Sequence, residues 1–236
     1  MGRNNISNIQ IYIDGPTEEE MKELVGNNIS GYTFNPTLFK NLGVTDYLEH
    51  SKKVLKISNN LPVSLEVIGD NYEDIVSQAK ELASLGSNVF VKIPITYTSG
   101  VSTLDTIKTL VDQNINLNIT AIFTLDQIRE ILPDLRDTKT IISVFAGRIY
   151  DIGLDASKML SEISSFIHEN SNCDLLWASP RMHYDFITAE KAGCDIITMT
   201  NAMYKKLSLI NKTPEEYSLE TVKMFYDDAV SSGYKI

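Results

Sequence analysis

The feature that most constrains this chain is a rhythm. Short β-branched apolar runs recur at Ile9–Asp14, Ile29–Phe34, Val63–Val67, Val89–Ile93, Leu117–Ile122, Thr140–Val144, Leu175–Ala178 and Asp195–Met199. Each is followed by a polar or glycine-containing break and then a stretch with apolar residues at three- and four-residue spacing, the signature of parallel βα units. Asn71–Leu85 places Ile75, Ala79, Leu82 and Ala83 on one face, and Val101–Asp112 does the same with Leu104, Ile107 and Leu110. Eight such units in 236 residues leave little room for a second domain. The pattern therefore predicts one α/β domain over 1–236, a closed (β/α)8 TIM barrel. An open doubly wound sheet is disfavoured because no GxGxxG turn is present. The last segment, Thr213–Ser232, opens with Pro214 and two glutamates and carries Leu219, Val222, Phe225, Tyr226 and Ala229 as an apolar stripe. It reads as an appended helix that either caps the barrel or packs on a second copy of the chain, making a homo-oligomer.

Charge narrows the partners. Acidic residues number 31 against 21 basic ones, for a formal net charge of −10, which repels nucleic acid and anionic membrane surfaces. No stretch approaches the roughly 20 apolar residues of a membrane helix, and the polar start MGRNNISNIQ lacks the apolar core of a secretory signal. A cytoplasmic setting is expected. Met1-Gly2 has its serine one place late for acylation, at Ser7. Cys173 and Cys194 are too few for a disulfide framework and read as small buried hydrophobes. His50, His168 and His183 are scattered, without HxH or HExxH spacing, and read mostly as surface residues, so no metal site is expected. Neither GxSxG nor a P-loop occurs, which argues against acyl transfer and nucleotide hydrolysis.

In a barrel, side chains at the C-terminal ends of the strands point to one mouth. Seven successive runs end in polar groups there: Asp14; Thr33 and Asn35; Ser64 and Glu66; Lys92; Asn118 and Thr120; Ser143 and Arg148; Ser179 and Arg181. Lys92 is central, because it interrupts Val89-Phe90-Val91-Lys92-Ile93-Pro94-Ile95. An amine desolvated in such a run is pushed toward its neutral form, which attacks a ketone to give an imine. A lone strand lysine is more simply read as the ion-pair partner of Asp14 or Glu66, with no chemistry. Imine formation and carbon–carbon cleavage also need proton carriers, however, and Asp14, Glu66 and Thr120 supply them. Asp14 before Gly15-Pro16 could by itself be a turn residue, whereas Glu66 between Leu65 and Val67 would cost free energy in a barrel unless partnered. Arg148 and Arg181 suit a phosphate, since the guanidinium fork binds its oxygens bidentately. This chemistry needs no cofactor.

From Tyr12 to about Leu207 these motifs resemble a transaldolase of short length. Asp14 stands at the family's strand-one aspartate. Thr33-Phe34-Asn35-Pro36-Thr37 resembles its T-T-N-P-S segment and Val91-Lys92-Ile93-Pro94 its Schiff-base strand. Asn118-Ile119-Thr120 resembles N-x-T, Ser143-Val144-Phe145-Ala146-Gly147-Arg148 resembles S-P-F-x-G-R, and Ala178-Ser179-Pro180-Arg181 resembles A-S-x-R. The resemblance implies Lys92 as nucleophile, Asp14 in carbon–carbon cleavage, and Glu66 and Thr120 on a catalytic water. It further implies Asn35, Asn118 and Ser143 on the dihydroxyacetone hydroxyls, and Arg148, Ser179 and Arg181 on phosphate. Thr33, Ser64 and Phe145 complete the expected substrate-binding set.

The same family holds fructose-6-phosphate aldolases, which resemble a pattern with Gln at the Glu66 position and Tyr at the Phe145 position. This chain has the transaldolase choice at both. The expected activity is therefore transfer of a dihydroxyacetone unit from fructose 6-phosphate or sedoheptulose 7-phosphate to an aldose phosphate. A lyase using the same Schiff base, and a silent barrel serving in assembly, are the rivals. Phe34, Val144, Gly15-Pro16 and Thr198-Met199-Thr200 depart from the family pattern and are expected to line or flank the mouth, which makes a transaldolase-like enzyme with an altered sugar phosphate substrate a further alternative.

Overall fold

In the computed structural model, which describes residues 9–236, the eight apolar runs form eight parallel strands that close in chain order, the first pairing with the last. The Met1-Gly2 segment weighed for acylation lies outside the described residues. The first half runs β1 (Gln10–Asp14), α1 (Glu18–Leu24), β2 (Gly31–Thr33), α2 (Pro36–Asn41), α3 (Tyr47–Ile57), β3 (Val63–Glu66), α4 (Tyr72–Ser84), β4 (Val89–Pro94) and α5 (Leu104–Asp112). The second runs β5 (Leu117–Ile122), α6 (Leu125–Leu135), β6 (Ile141–Val144), α7 (Ala146–Asp151), α8 (Ala156–Asn170), β7 (Asp174–Trp177), α9 (Asp185–Lys191), β8 (Ile196–Met199) and α10 (Asn201–Lys206). The barrel unit ends at Tyr204.

The two sequence periods do separate work. Along the strands, Ile11, Ile13, Val91, Ile93, Ile119, Ile142, Leu175 and Ile197 are buried beneath the helices, each contributing about 1.5–3 kcal/mol by leaving water. The alternate positions face inward, where Tyr12, Ile141, Leu176, Ala178 and Ile196 cluster with Phe90 and Phe145. Two residues further along β1, β4, β6 and β8 stand Asp14, Lys92, Ser143 and Thr198, so the apolar plug becomes the floor of a polar mouth. Gly31 makes room for the plug, since a Cβ there would lie 2.7 Å from the Tyr12 ring.

Helix starts follow their caps. Asn71 accepts a hydrogen bond from Asp74 N at the head of α4, and Thr124 with Gln127 forms a capping box on α6. Ile75, Ala79 and Leu82 are buried as their spacing predicts. Helix α5 begins at Leu104 and not at Val101, because Ser102 bridges back to Thr96 and Tyr97 N bonds to Val101 O at 2.9 Å. That preceding turn spends the first three residues of the expected helix.

A second compact unit spans Lys205–Ile236. Its helix α11 (Pro214–Ser232) has a capping box between Thr213 and Glu216 and ends at left-handed Gly233. Leu219, Val222, Phe225 and Tyr226 of the expected stripe are all exposed. No helix among the described residues is long and apolar enough to cross a membrane.

Candidate active site

At the C-terminal ends of the strands lies a cavity of about 170 Å³. Asp14, Thr33, Asn35, Lys92, Thr120, Ser143, Phe145, Arg148 and Ser179 line it, joined by Leu176, Ala178 and Thr198. A groove of about 210 Å³ lies on the side of Glu66 shared with Tyr47, Leu82 and Gln78, but its lining is chiefly apolar and excludes Lys92. The polar cavity is where the chemistry collects.

Lys92 is 5% exposed, and its Nζ stands 3.2 Å from Glu66 Oε2, across the register that pairs the two residues on β3 and β4. The ion pair is the one that a simple reading of a strand lysine anticipates, yet the amine also faces open space shared with Asp14 and Thr120. Glu66 itself is gripped from behind. The Tyr47 hydroxyl donates to Glu66 O at 2.6 Å and accepts from Glu66 N at 3.1 Å, filling the strand edge that the three-residue β2 leaves unpaired.

Asp14 closes the opposite side. Thr198 and Thr33 hydroxyls are 2.5 Å apart, and Thr33 Oγ1 donates to Asp14 Oδ1 at 2.6 Å, so the chain of donors runs from Thr198 through Thr33 to the carboxylate. Burial raises the Asp14 carboxyl above its ordinary range; the Lys92 charge and the Thr33 hydrogen bond oppose the shift without cancelling it. Thr120 Oγ1 is buried without a protein partner. Just after it, Ala121 adopts a left-handed conformation (φ 59°) where the β5–β6 register slips, a bulge of the kind that re-aims side chains beside functional sites.

Ser64 and Asn118 do not reach the cavity lining. They form a buried layer beneath it, with Asn118 Nδ2 donating to Ser64 Oγ at 3.0 Å and Ser143 Oγ donating to Asn118 Oδ1 at 2.7 Å. Asn35 lines the cavity while its Oδ1 caps α2 by accepting from Leu38 N.

At the other end, Arg148 lies over the Phe145 ring, 5.3 Å from its centre. Ser179 is left-handed (φ 60°), and its carbonyl approaches α7 so closely that a Cβ on Gly147 would fall 1.6 Å from it. Arg181 stands outside the cavity lining. Its Nη1 donates to Ser179 O and Oγ, both at 3.0 Å, and its Nε and Nη2 grip the Asp151 carboxylate. The arginine holds the Asp151 carboxyl below the usual carboxylate range.

Tyr47 and Asp151 have no mark in the sequence, and Thr198 enters there only within the departing segment Thr198-Met199-Thr200. Only Thr198 had a signal there, two residues after inward Ile196. Among the histidines, His168 is exposed and pairs with Asp195, but the His50 side chain packs edge-on against Phe39 with Nε2 buried, contrary to a surface reading. Its position on the inner face of amphipathic α3 is the reason. Both cysteines are buried. Among the described residues no three His, Cys, Asp or Glu side chains gather as a metal site.

The sequence profile of the transaldolase/fructose-6-phosphate aldolase group matches residues 11–235. The chain belongs to this family. Relatives described as probable transaldolases include one from Thermoanaerobacter sp., 30% identical and covering 97% of this chain and 100% of the relative. Another from Thermoplasma volcanium is 32% identical over 88% and 91%, and one from Carboxydothermus hydrogenoformans 34% over 81% and 86%. Among solved structures, a 2,3-dimethylmalate lyase superposes with TM-score 0.57 at 12% identity, covering 97% of this chain and 95% of that one. The tryptophan synthase alpha subunit of Campylobacter jejuni gives 0.57 at 13%, over 83% and 87%. At such identity the likeness is one of barrel architecture. The departures from the transaldolase pattern flank the mouth and, Thr198 apart, do not line it. Phe34, Val144 and Met199 are buried and absent from the cavity lining, with Phe34 packed 5.2 Å from Phe39, but each adjoins a residue that lines it, Thr33, Ser143 and Thr198 respectively.

Proposed function

We propose that the chain is a transaldolase that carries a dihydroxyacetone unit from fructose 6-phosphate or sedoheptulose 7-phosphate to an aldose phosphate. The observation that carries this reading is a nearly buried lysine amine that stands 3.2 Å from Glu66 and lines a polar cavity together with Asp14, whose carboxyl burial raises above its ordinary range.

In this mechanism Lys92 Nζ passes a proton to Glu66 and attacks the ketose C2. The resulting carbinolamine loses water to give the imine. Asp14 then takes the proton of the C4 hydroxyl while the C3–C4 bond breaks; its electron pair flows into the imine, leaving an enamine of dihydroxyacetone, and the aldose phosphate departs. A carboxyl raised above its usual range suits this shuttle, because a base works best when its affinity for a proton matches the medium. Addition of the enamine to the acceptor aldehyde and hydrolysis of the imine reverse these steps, with Glu66 and the unpartnered Thr120 hydroxyl handling water. Asn35, Ser143 and, from the layer below, Asn118 orient the dihydroxyacetone hydroxyls. Arg148 and Ser179 bind phosphate, with Arg181 adding positive charge from behind Ser179. The apolar face that α11 exposes would serve association with a second copy of the chain.

Glu66 and Phe145 favour transfer over cleavage, since Phe145 offers no hydroxyl to activate water. Coupled assays with fructose 6-phosphate test this. Aldose phosphate release should depend on added erythrose 4-phosphate; equal release without the acceptor would make the protein a lyase.

A further inference from the structure

The Asp151 carboxylate is unused by the mechanism above. It sits at the C-terminal end of α7, where a negative charge is disfavoured by the helix dipole, and it is half exposed, so solvent screens it. What compensates is geometry. Arg181 presents both Nε and Nη2 to the two carboxylate oxygens, the planar fork-to-fork arrangement that fixes a guanidinium in one orientation. The remaining edge is thereby turned onto Ser179, with Nη1 3.0 Å from both its carbonyl and its hydroxyl oxygen. A hydroxyl oxygen that already accepts from a guanidinium must aim its own proton elsewhere, and Ser179 lines the cavity. Arg148, on the same helix as Asp151 and lining the same cavity, supplies the facing charge.

We infer that Asp151 is a positioning residue for the phosphate end of the site: it holds Arg181 against Ser179, so that the Ser179 hydroxyl is presented as a ready-made donor to a phosphate oxygen. This inference rests on the proposed sugar phosphate site and adds to it the residue that sets its order. Asp151 touches no substrate. It acts through Arg181 and then Ser179, and without it the arginine keeps its charge but loses its aim. The charge facing Arg181 from α9 is Asp185, whose Oδ2 is already engaged by Arg181 N and Met182 N, so it cannot replace Asp151 as the clamp.

The test separates aim from charge. In Asp151→Asn, the local charge becomes more positive, so a purely electrostatic role predicts tighter anion binding, whereas a positioning role predicts weaker binding. Titration with inorganic phosphate, read by calorimetry and independent of turnover, should show about a tenfold weaker Kd than wild type. In kinetics, KM for fructose 6-phosphate should rise about tenfold with kcat changed far less. The loss with an unphosphorylated donor such as fructose should be at least fivefold smaller. Asp151→Glu, which retains the carboxylate, should recover part of the affinity. Unchanged or tighter phosphate binding in Asp151→Asn, equal losses with both donors, or failure of wild type itself to bind phosphate would each overturn the inference. Loss of turnover with phosphate binding intact in wild type would instead count against the transaldolase reading alone.

Discussion

Gly147 is the position at which the structure makes its sharpest demand on a single hydrogen atom. It lies in α7, where alanine would ordinarily be favoured over glycine by about 0.5–1 kcal/mol. The added Cβ, however, would fall 1.6 Å from Ser179 O, 2.8 Å from Ser179 C and 3.0 Å from Arg181 Nη1. Backbone must therefore retreat by about 1.5 Å to reach tolerable contact, and overpacking that cannot be relieved by a side chain costs roughly 3 kcal/mol net. In a chain of this size that lowers Tm by roughly 6–12 °C. Gly100→Ala is the control: its φ is +84° and nothing lies within 4 Å of the added atom, so only the left-handed backbone penalty of about 1 kcal/mol applies. Thermal unfolding of the two variants beside wild type gives the comparison, and KM for fructose 6-phosphate reports whether the displaced Ser179 and Arg181 served phosphate. Should Gly147→Ala melt at or above the wild-type temperature, the close approach of α7 to the β7 end is not the constraint that the structure describes.

Two further outcomes follow from the same geometry. Asp14→Asn should lower turnover by about 10²–10⁴-fold yet stabilise the fold by about 0.5–2 kcal/mol. Because burial raises the native carboxyl above its unfolded value, the ionised form is the strained one, so the gain should be absent below the ordinary carboxylate range and grow as pH rises through the raised native value; denaturant midpoints at pH 3.5 and pH 8 that shift equally would contradict this. Phe145→Tyr should raise cleavage relative to transfer, measured as product release without and with erythrose 4-phosphate, and an unmoved ratio would show that the ring position does not govern the partition.

The barrel and most of its mouth were legible in the sequence because both are written in period two. A polar residue such as Lys92 or Ser143, two places after an inward Phe90 or Ile141, has only one place to go once the strand is closed into a barrel. What was hidden depends on side-chain direction and on partners far apart in the chain. Nothing local to Arg181 says that it turns from the cavity onto Asp151, thirty residues back. Asn118 reads as a mouth residue by position, but Ser64 and Ser143 claim it from either side. Phe34 and Val144 follow polar strand ends and still point into the helix layer, since odd and even positions diverge at the rim. The grip of Tyr47 on Glu66 follows from how short β2 is, which the longer apolar run Ile29–Phe34 conceals.

The most direct measurement is borohydride trapping with fructose 6-phosphate, read as intact mass. Wild type should gain the mass of one reduced dihydroxyacetone adduct, while Lys92→Ala, verified as folded by circular dichroism, should gain none. Undiminished labelling of the Lys92→Ala protein would place the nucleophile elsewhere and contradict the account at its centre.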